Sequence, residues 1–311
     1  MKDLVNYNNI LKVLVTGGSG QIGSEIRAYQ KNYNFLTFFP SSSEFDLTDS
    51  KKMNSYLNSN SFDIILNLAA YTSVDTAEHD KKISDEVNHI GPKFLAEEAN
   101  KRNIGLIHTS TDYVFGEKGS GPYKYSDTRN PINHYGRTKS SGEIGVLSNH
   151  NKSLIIRLAS VFSEYGNNFV KKITLMLLKE NEVRVVSDQL ISLTYACDFS
   201  RNLNEIIDFY KNLSNTKQPK DRVFHFASPH YTNWFSVSKI IYDEIETFNQ
   251  KPLLVKLIPI QSDQWNSAAP RSLDTRLKVN YKFLDENNIK VSTWEESVRL
   301  VVRKTLADLK G

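Results

Sequence analysis

One cysteine, Cys197, stands in the chain of 311 residues, which excludes an internal disulfide and a thiolate metal cage. None of the seven histidines sits in an H-x-x-x-H or comparable ligand cluster, so no metal is expected. There is no G-x-S-x-G and no phosphate-binding G-K-[ST], which removes the serine hydrolases and the P-loop enzymes by their usual signatures. No apolar run approaches the ~20 residues of a membrane span. The stretch from Met1 to Leu11 is polar and lacks a secretory apolar segment, so a cytoplasmic protein without a membrane partner is expected. The formal charge of +4 comes from Lys and Arg scattered among acids, so no nucleic-acid partner is expected either. No internal repeat, low-complexity block or clean linker divides the chain. Hydrophobic residues at 39% are enough for a substantial core.

What is present is an alternation of strands and helices. Lys12-Val13-Leu14-Val15-Thr16 is a short apolar run, which reads as a buried parallel strand. Gly17-Gly18-Ser19-Gly20-Gln21-Ile22-Gly23 follows, and a helix begins after it. Glycines there let the backbone turn sharply and approach a pyrophosphate, while the helix N-terminus offers unpaired N–H groups. Asn34 to Phe39 is the second strand. It runs into Phe39-Pro40-Ser41-Ser42-Ser43, with the first acid at Glu44. Hydroxyls without a carboxylate at the strand end favour NADPH over NADH weakly, although no arginine follows to clamp a 2′-phosphate. Asp46-Leu47-Thr48-Asp49 reads as a turn capping the next helix, with Asp46 near the adenine side. Phe62 to Tyr71 is a third strand, whose terminal Ala69 and Ala70 let a flat group lie close. Residues 80 to 102 read as one helix containing Val87-Asn88-His89.

The fourth strand, Gly105 to Thr109, runs into Ser110-Thr111-Asp112-Tyr113. Thr111 reads either as a hydroxyl for a substrate oxygen or as an ordinary cap. A helix over 134 to 147 places Tyr135 and Lys139 on one face, four residues apart. A neighbouring ammonium is expected to lower the tyrosine pKa toward neutrality and fit it for proton transfer. A fifth strand covers 153 to 158, a helix 167 to 180, a strand 184 to 189 and a helix 196 to 213. After the polar loop Asn212 to Pro219, a strand at 222 to 227 is expected to return to the main sheet. A helix from Trp234 to Phe248, a strand from Leu253 to Pro259, an extended segment from Ala269 to Asp274 and a helix from Thr293 to Leu309 complete the chain. The pattern predicts an α/β fold, a Rossmann-like doubly wound parallel sheet with a smaller C-terminal α/β substrate domain. The division expected is 1–165 for the dinucleotide, with segments near 190–230 returning to it, and 166–311 mainly for substrate.

Taken together, these motifs resemble the extended short-chain dehydrogenase/reductase family. The runs that carry the likeness include Thr16 to Gly23, Asn67-Leu68-Ala69-Ala70-Tyr71-Thr72-Ser73-Val74-Asp75, Ser110-Thr111-Asp112-Tyr113-Val114-Phe115, Tyr135-Gly136-Arg137-Thr138-Lys139 and Gly166 to Val170. Within the family the chain is most similar to the reductases of nucleotide-linked 4-keto-6-deoxyhexoses, the dTDP-4-dehydrorhamnose reductase branch. The resemblance implies NADPH (or NADH) as cofactor and a nucleotide sugar as substrate, and leaves a homodimer open. It implies Thr111, Tyr135 and Lys139 as the catalytic set. Gly17, Gly20, Gln21, Ile22, Gly23, Asp46, Leu47, Ala69, Ala70 and Tyr71 would line the cofactor site, joined by Tyr135 and Lys139. Thr72, Val74, Asp112 and Tyr113 would face the sugar, and Arg271 the nucleotide diphosphate, since a guanidinium fork suits phosphate.

The chain departs from that branch in its substrate half. Ser160 stands where the branch has tryptophan, Ile191 and Leu193 where it has Gly and Pro, and Pro270-Arg271 where it has Arg-Pro. Two other readings share the scaffold: a nucleotide-sugar epimerase, and a nucleotide-binding regulatory subunit without a reaction. The related dehydratases place Asp-Glu after the active-site hydroxyl. Here Asp112 is followed by Tyr113, which removes their second acid.

Overall fold

The computed structural model describes residues 10–116, 121–213 and 222–310. Residues 214–219 of the expected polar loop therefore lie outside the described residues. Six strands form the central sheet: β1 (Lys12–Thr16), β2 (Leu36–Phe38), β3 (Ile64–Asn67), β4 (Gly105–Thr111), β5 (Leu154–Leu158) and β10 (Val223–His225). Their order is β10-β5-β4-β3-β1-β2, and every neighbouring pair is parallel. The strand order reverses at β1, so the crevice for a ligand opens at the carboxyl ends of β1 and β3. The remaining strands are short: β6 (Val161–Phe162), β7 (Glu182–Val186), β8 (Leu190–Ile191), β9 (Thr194–Tyr195), β11 (Thr232–Asn233) and β12 (Lys256–Ile260).

The helices are α1 (Gln21–Tyr29), α2 (Ser50–Ser59), α3 (Val74–Ala77), α4 (Lys81–Asp85), α5 (Gly91–Lys101), α6 (His134–Asn149), α7 (Phe169–Lys179), α8 (Ala196–Arg201), α9 (Leu203–Leu213), α10 (Trp234–Asn249), α11 (Tyr281–Glu286) and α12 (Trp294–Asp308). Because side chains alternate along a strand, Val13 and Val15 face one layer and Leu14 the other. The first layer packs on α1, α8, α9 and α11, through Ile26, Phe199, Ile206 and Leu284. The second packs on α2, α5 and α6, through Met53, Leu95 and Val146. A separate apolar cluster joins α7, α10 and α12 to β7 and β8, with Ile173, Ile241 and Val298 at its centre. Each fully buried aliphatic side chain contributes roughly 1.5–3 kcal/mol. Among the described residues, no helix is long and apolar enough to cross a membrane.

Two expected helices are broken. Residues 80–102 form α4, one π turn (Glu86–Ile90) and α5. The buried Asn88 in that turn takes both backbone groups of Tyr71, accepting from its N–H at 2.9 Å and donating to its carbonyl at 3.0 Å. A π turn accommodates the inserted residue, as such turns do at functional sites. Residues 196–213 break at Asn202, whose side chain receives the Lys290 N–H at 2.7 Å and donates to the Asp198 and Lys290 carbonyls. The short helices α3 and α11 have no counterpart in the sequence reading.

Candidate active site

The glycine loop is a cradle with no room for side chains. Gly17 has φ +67°, and a Cβ on it would stand 2.7 Å from the Ala69 nitrogen. A Cβ on Gly23 would stand 2.5 Å from the Gly17 carbonyl oxygen. Gly20 caps α1 without a side-chain hydrogen bond, and the first turn holds no acid. Its N–H groups and positive dipole end are thus open to an anion, so the residues present fit a dinucleotide pyrophosphate. Ile22 turns into the core and offers only backbone. Gln21 uses its amide to hold the Val161 carbonyl at 3.3 Å and the Asn168 amide at 3.0 Å, tying the loop to the segment after β5.

At the end of β3, the Ala69 N–H donates to Thr16 Oγ1 at 3.3 Å, and Ala69 and Ala70 are half-buried. Thr16 donates to Asn67 at 2.5 Å, and Asn67 Nδ2 donates to His108 Nδ1 at 2.9 Å. That bond assigns the proton of the fully buried imidazole to Nε2. Burial and the Lys139 charge hold its pKa well below the ordinary value. Tyr71 donates its hydroxyl to Asp80 at 3.1 Å. Asp46 folds onto the Thr48 N–H and hydroxyl at 2.9 and 2.8 Å, and Leu47 is buried in the core. Both stand on the β2–α2 connection, away from the glycine loop's own hydrogen bonds.

Helix α6 carries both Tyr135 and Lys139. Its cap, Asn133, accepts from the Gly136 N–H at 2.8 Å, and Glu78 accepts from the His134 N–H at 2.7 Å. Gly136 packs so tightly on the Tyr113 carbonyl that a Cβ would overlap it. This close approach sets the Tyr135 ring edge-on to Tyr113, centroids 5.6 Å apart, and puts its phenol within hydrogen-bonding reach of Thr111. Lys139, 2% exposed, donates to the Thr109 carbonyl at 2.8 Å. Burial lowers its pKa to about 8, with Glu143 opposing.

The expectation that Lys139 depresses the Tyr135 pKa is corrected here. Burial pushes the phenol up, the Thr111 contact pulls it down, and Lys139 is turned to Thr109. Thr111 takes the capping reading. It accepts from the Tyr113 N–H at 3.2 Å as a cap, and donates to Asp112 Oδ1 at 3.0 Å. Asp112 is buried, its Oδ2 has no hydrogen-bond partner among the described residues, and burial raises its pKa to about 6. Burial also raises the Tyr113 phenol to about 12.

Thr72 is exposed at the rim, and Val74 opens α3 beside it. Arg271 does reach this rim, but its fork is engaged. It clasps Asp75 through two bonds of 2.7 and 3.0 Å and also donates to Ser267. Hydrogen bonding from Arg271 holds Asp75 at about 2. In this arrangement Arg271 fastens the segment 267–271 to α3, helped by Asn133 donating to the Pro270 carbonyl at 3.0 Å. Ser160 adopts φ +41°.

Three residues absent from the sequence-based set matter here. Asn88 holds Tyr71 as described. Its only sequence signal is a polar residue within the apolar pattern of its helix. Glu143, fully buried, lies one turn beyond Lys139 and accepts from Arg157 at 2.7 and 2.8 Å and from Arg129 at 2.9 Å. Glu44 folds back onto Ser41, accepting from its N–H at 2.8 Å and its hydroxyl at 2.7 Å. The first acid after β2 is thus turned onto the loop's own backbone and hydroxyl.

Comparison with known proteins agrees with this geometry. The model of the RmlD substrate binding domain matches residues 11–307. A dTDP-4-dehydrorhamnose reductase of Sinorhizobium fredii is 34% identical over 304 residues, covering 96% of this chain and 99% of that protein. One of Aggregatibacter actinomycetemcomitans is 30% identical over 289 residues, covering 93% and 97%. The crystal structure of the Bacillus anthracis dTDP-4-dehydrorhamnose reductase in complex with NADP superposes with a TM-score of 0.82 at 27% identity, covering 94% of this chain and 98% of that one. The chain belongs to the RmlD substrate-binding-domain family.

Proposed function

We propose that this protein reduces the C4 ketone of a nucleotide-linked 4-keto-6-deoxyhexose, with NADPH (or NADH) as reductant, in deoxysugar biosynthesis of the dTDP-L-rhamnose type in the cytoplasm. The support is the Tyr135 phenol beside the Thr111 hydroxyl at the carboxyl end of β4, with Lys139 one turn further along α6 and bonded to the same strand, in the sheet that carries the glycine cradle. When bound, the reduced nicotinamide supplies the hydride. The chain's own residues do the rest. Tyr135 gives its phenolic proton to the sugar oxygen as negative charge develops there. Thr111, already turned between Asp112 and Tyr135, steadies that oxygen. Lys139 is a desolvated cation with one acceptor, and the cofactor ribose hydroxyls offer it more.

Residues 1–165, with segments near 190–230, would hold the dinucleotide, and 166–311 mainly the sugar. The strand β10 beside β5 and the separate cluster around α7, α10 and α12 support that division. The test is oxidation of NADPH at 340 nm with dTDP-4-dehydrorhamnose, followed by identification of the product sugar. Tyr135→Phe is expected to lower turnover by about 10²-fold or more while NADPH affinity stays within about twofold. Turnover within a few-fold of wild type would remove the tyrosine from its assigned role.

A further inference from the structure

We infer that Arg27, on α1, reads the 2′-phosphate of the dinucleotide and sets the preference for NADPH; this rests on the function proposed above. The arginine precedes the β2 loop by a whole helix end and a strand, yet it arrives at that loop in space. Its guanidinium carbon lies 4.2 Å above the centre of the Phe39 ring, immediately after β2. Gly18 of the glycine loop lies against both groups. A Cβ built there would stand 2.8 Å from Phe39 Cδ1 and 3.2 Å from Arg27 Nη2. The cation is therefore at the junction of the glycine loop and the carboxyl end of β2, where this class of fold receives the adenosine ribose.

Three features suit it to a phosphate. Arg27 is exposed, and it has no ion pair or hydrogen bond among the described residues. Stacking on Phe39 holds the guanidinium plane while leaving its edge N–H groups free for bidentate contact. The loop's own carboxylate, Glu44, is committed to the Ser41 N–H and hydroxyl. Ser41 also bonds Ser43 at 2.8 Å, so its hydroxyl is occupied and the arginine is the free group.

The test is calorimetric titration of wild type and Arg27→Met, without sugar substrate, using NADPH, NADH, adenosine 2′,5′-bisphosphate and AMP. Arg27→Met is expected to weaken NADPH and the bisphosphate by about tenfold or more, leaving NADH and AMP within about twofold. The salt dependence of NADPH binding should fall with it. Equal losses for both dinucleotides would overturn the inference, because the guanidinium would then hold a part common to the two. Unchanged NADPH binding in Arg27→Met overturns the arginine assignment alone. A wild type that binds neither dinucleotide overturns the underlying functional reading, and this inference with it.

Discussion

Replacing Lys139 by Met tests how far the site is built at the expense of the fold. The ammonium is 2% exposed, and its pKa is lowered by burial from the ordinary 10.5 to about 8. At about 1.4 kcal/mol for each pH unit, keeping it charged at pH 7 costs the native state roughly 3 kcal/mol. Met has nearly the same shape and no charge to desolvate. It does forfeit the bond to the Thr109 carbonyl, which offsets about 1–3 kcal/mol. The variant should therefore be as stable as wild type at pH 7 or more so, by up to about 2 kcal/mol, while losing dinucleotide affinity and turnover. The pH dependence carries the sharper sign. Between pH 8 and 10.5 the unfolded chain holds this proton and the folded chain has released it, so wild-type stability rises with pH relative to the variant. The cost is complete below about pH 8 and gone above 10.5. Urea denaturation of both proteins from pH 7 to 10 should show the difference move by roughly 2.5 kcal/mol in favour of wild type, other titrations cancelling. A flat difference, or a variant more than about 2 kcal/mol less stable at pH 7, refutes the reasoning.

Glu143→Gln should cost about 3–5 kcal/mol at pH 7, because it leaves the guanidinium of Arg157, itself 2% exposed, buried against a neutral amide. Burial alone would raise the Glu143 carboxyl, but Arg157 holds it at about 2. The wild-type advantage should therefore be full above the ordinary carboxylate range and vanish in denaturation curves as pH falls toward 2. Gly142→Ala places a methyl inside contact distance of the Asn88 carbonyl, and should cost about 1–3 kcal/mol and loosen the grip on Tyr71. Stability unchanged within about 0.5 kcal/mol would show the π turn yields freely. Ser160→Trp should improve kcat/KM for dTDP-4-dehydrorhamnose relative to other keto sugars, since an aromatic wall supplies roughly 1–3 kcal/mol of packing. Impaired use of that sugar, as the best wild-type substrate, would show the pocket already complete.

The sheet was legible because its strands are short apolar runs set between helices, and parallel strands buried on both faces leave that trace. Tyr135 and Lys139 were legible because helical spacing is local. The electrostatics between them was not. Whether the ammonium faces the phenol or the Thr109 carbonyl depends on β4, a different element. Arg27 escaped for the same reason: its partner ring lies across the loop that joins α1 to β2, and only the crossover brings them together. The π turn at Asn88 escaped because its cause is the Tyr71 backbone, and no local pattern of residues 80–102 records that contact. Arg271 was legible as a residue at the rim but not as one whose fork Asp75 already fills.

Apart from Ser160, the departures from the reductase branch gather on one structural feature, the segment 267–277 and its support. Below it lies β8, and the two are stitched together: the Leu190 N–H donates to the Leu273 carbonyl at 2.7 Å, and the Thr275 N–H returns to the Leu190 carbonyl at 3.0 Å. The Leu277 N–H donates to Ser192 Oγ at 3.0 Å. Ile191 and Leu193, where the branch has Gly and Pro, are both buried, so their side chains anchor this support in an apolar cluster. Asp75 and Asn133 fasten the near end through Arg271 and Pro270. Thr111, Tyr135 and Lys139 come from β4 and α6, which share none of these altered positions. A segment held from both sides, apart from the sheet and α6, can change in sequence without moving Thr111, Tyr135 or Lys139.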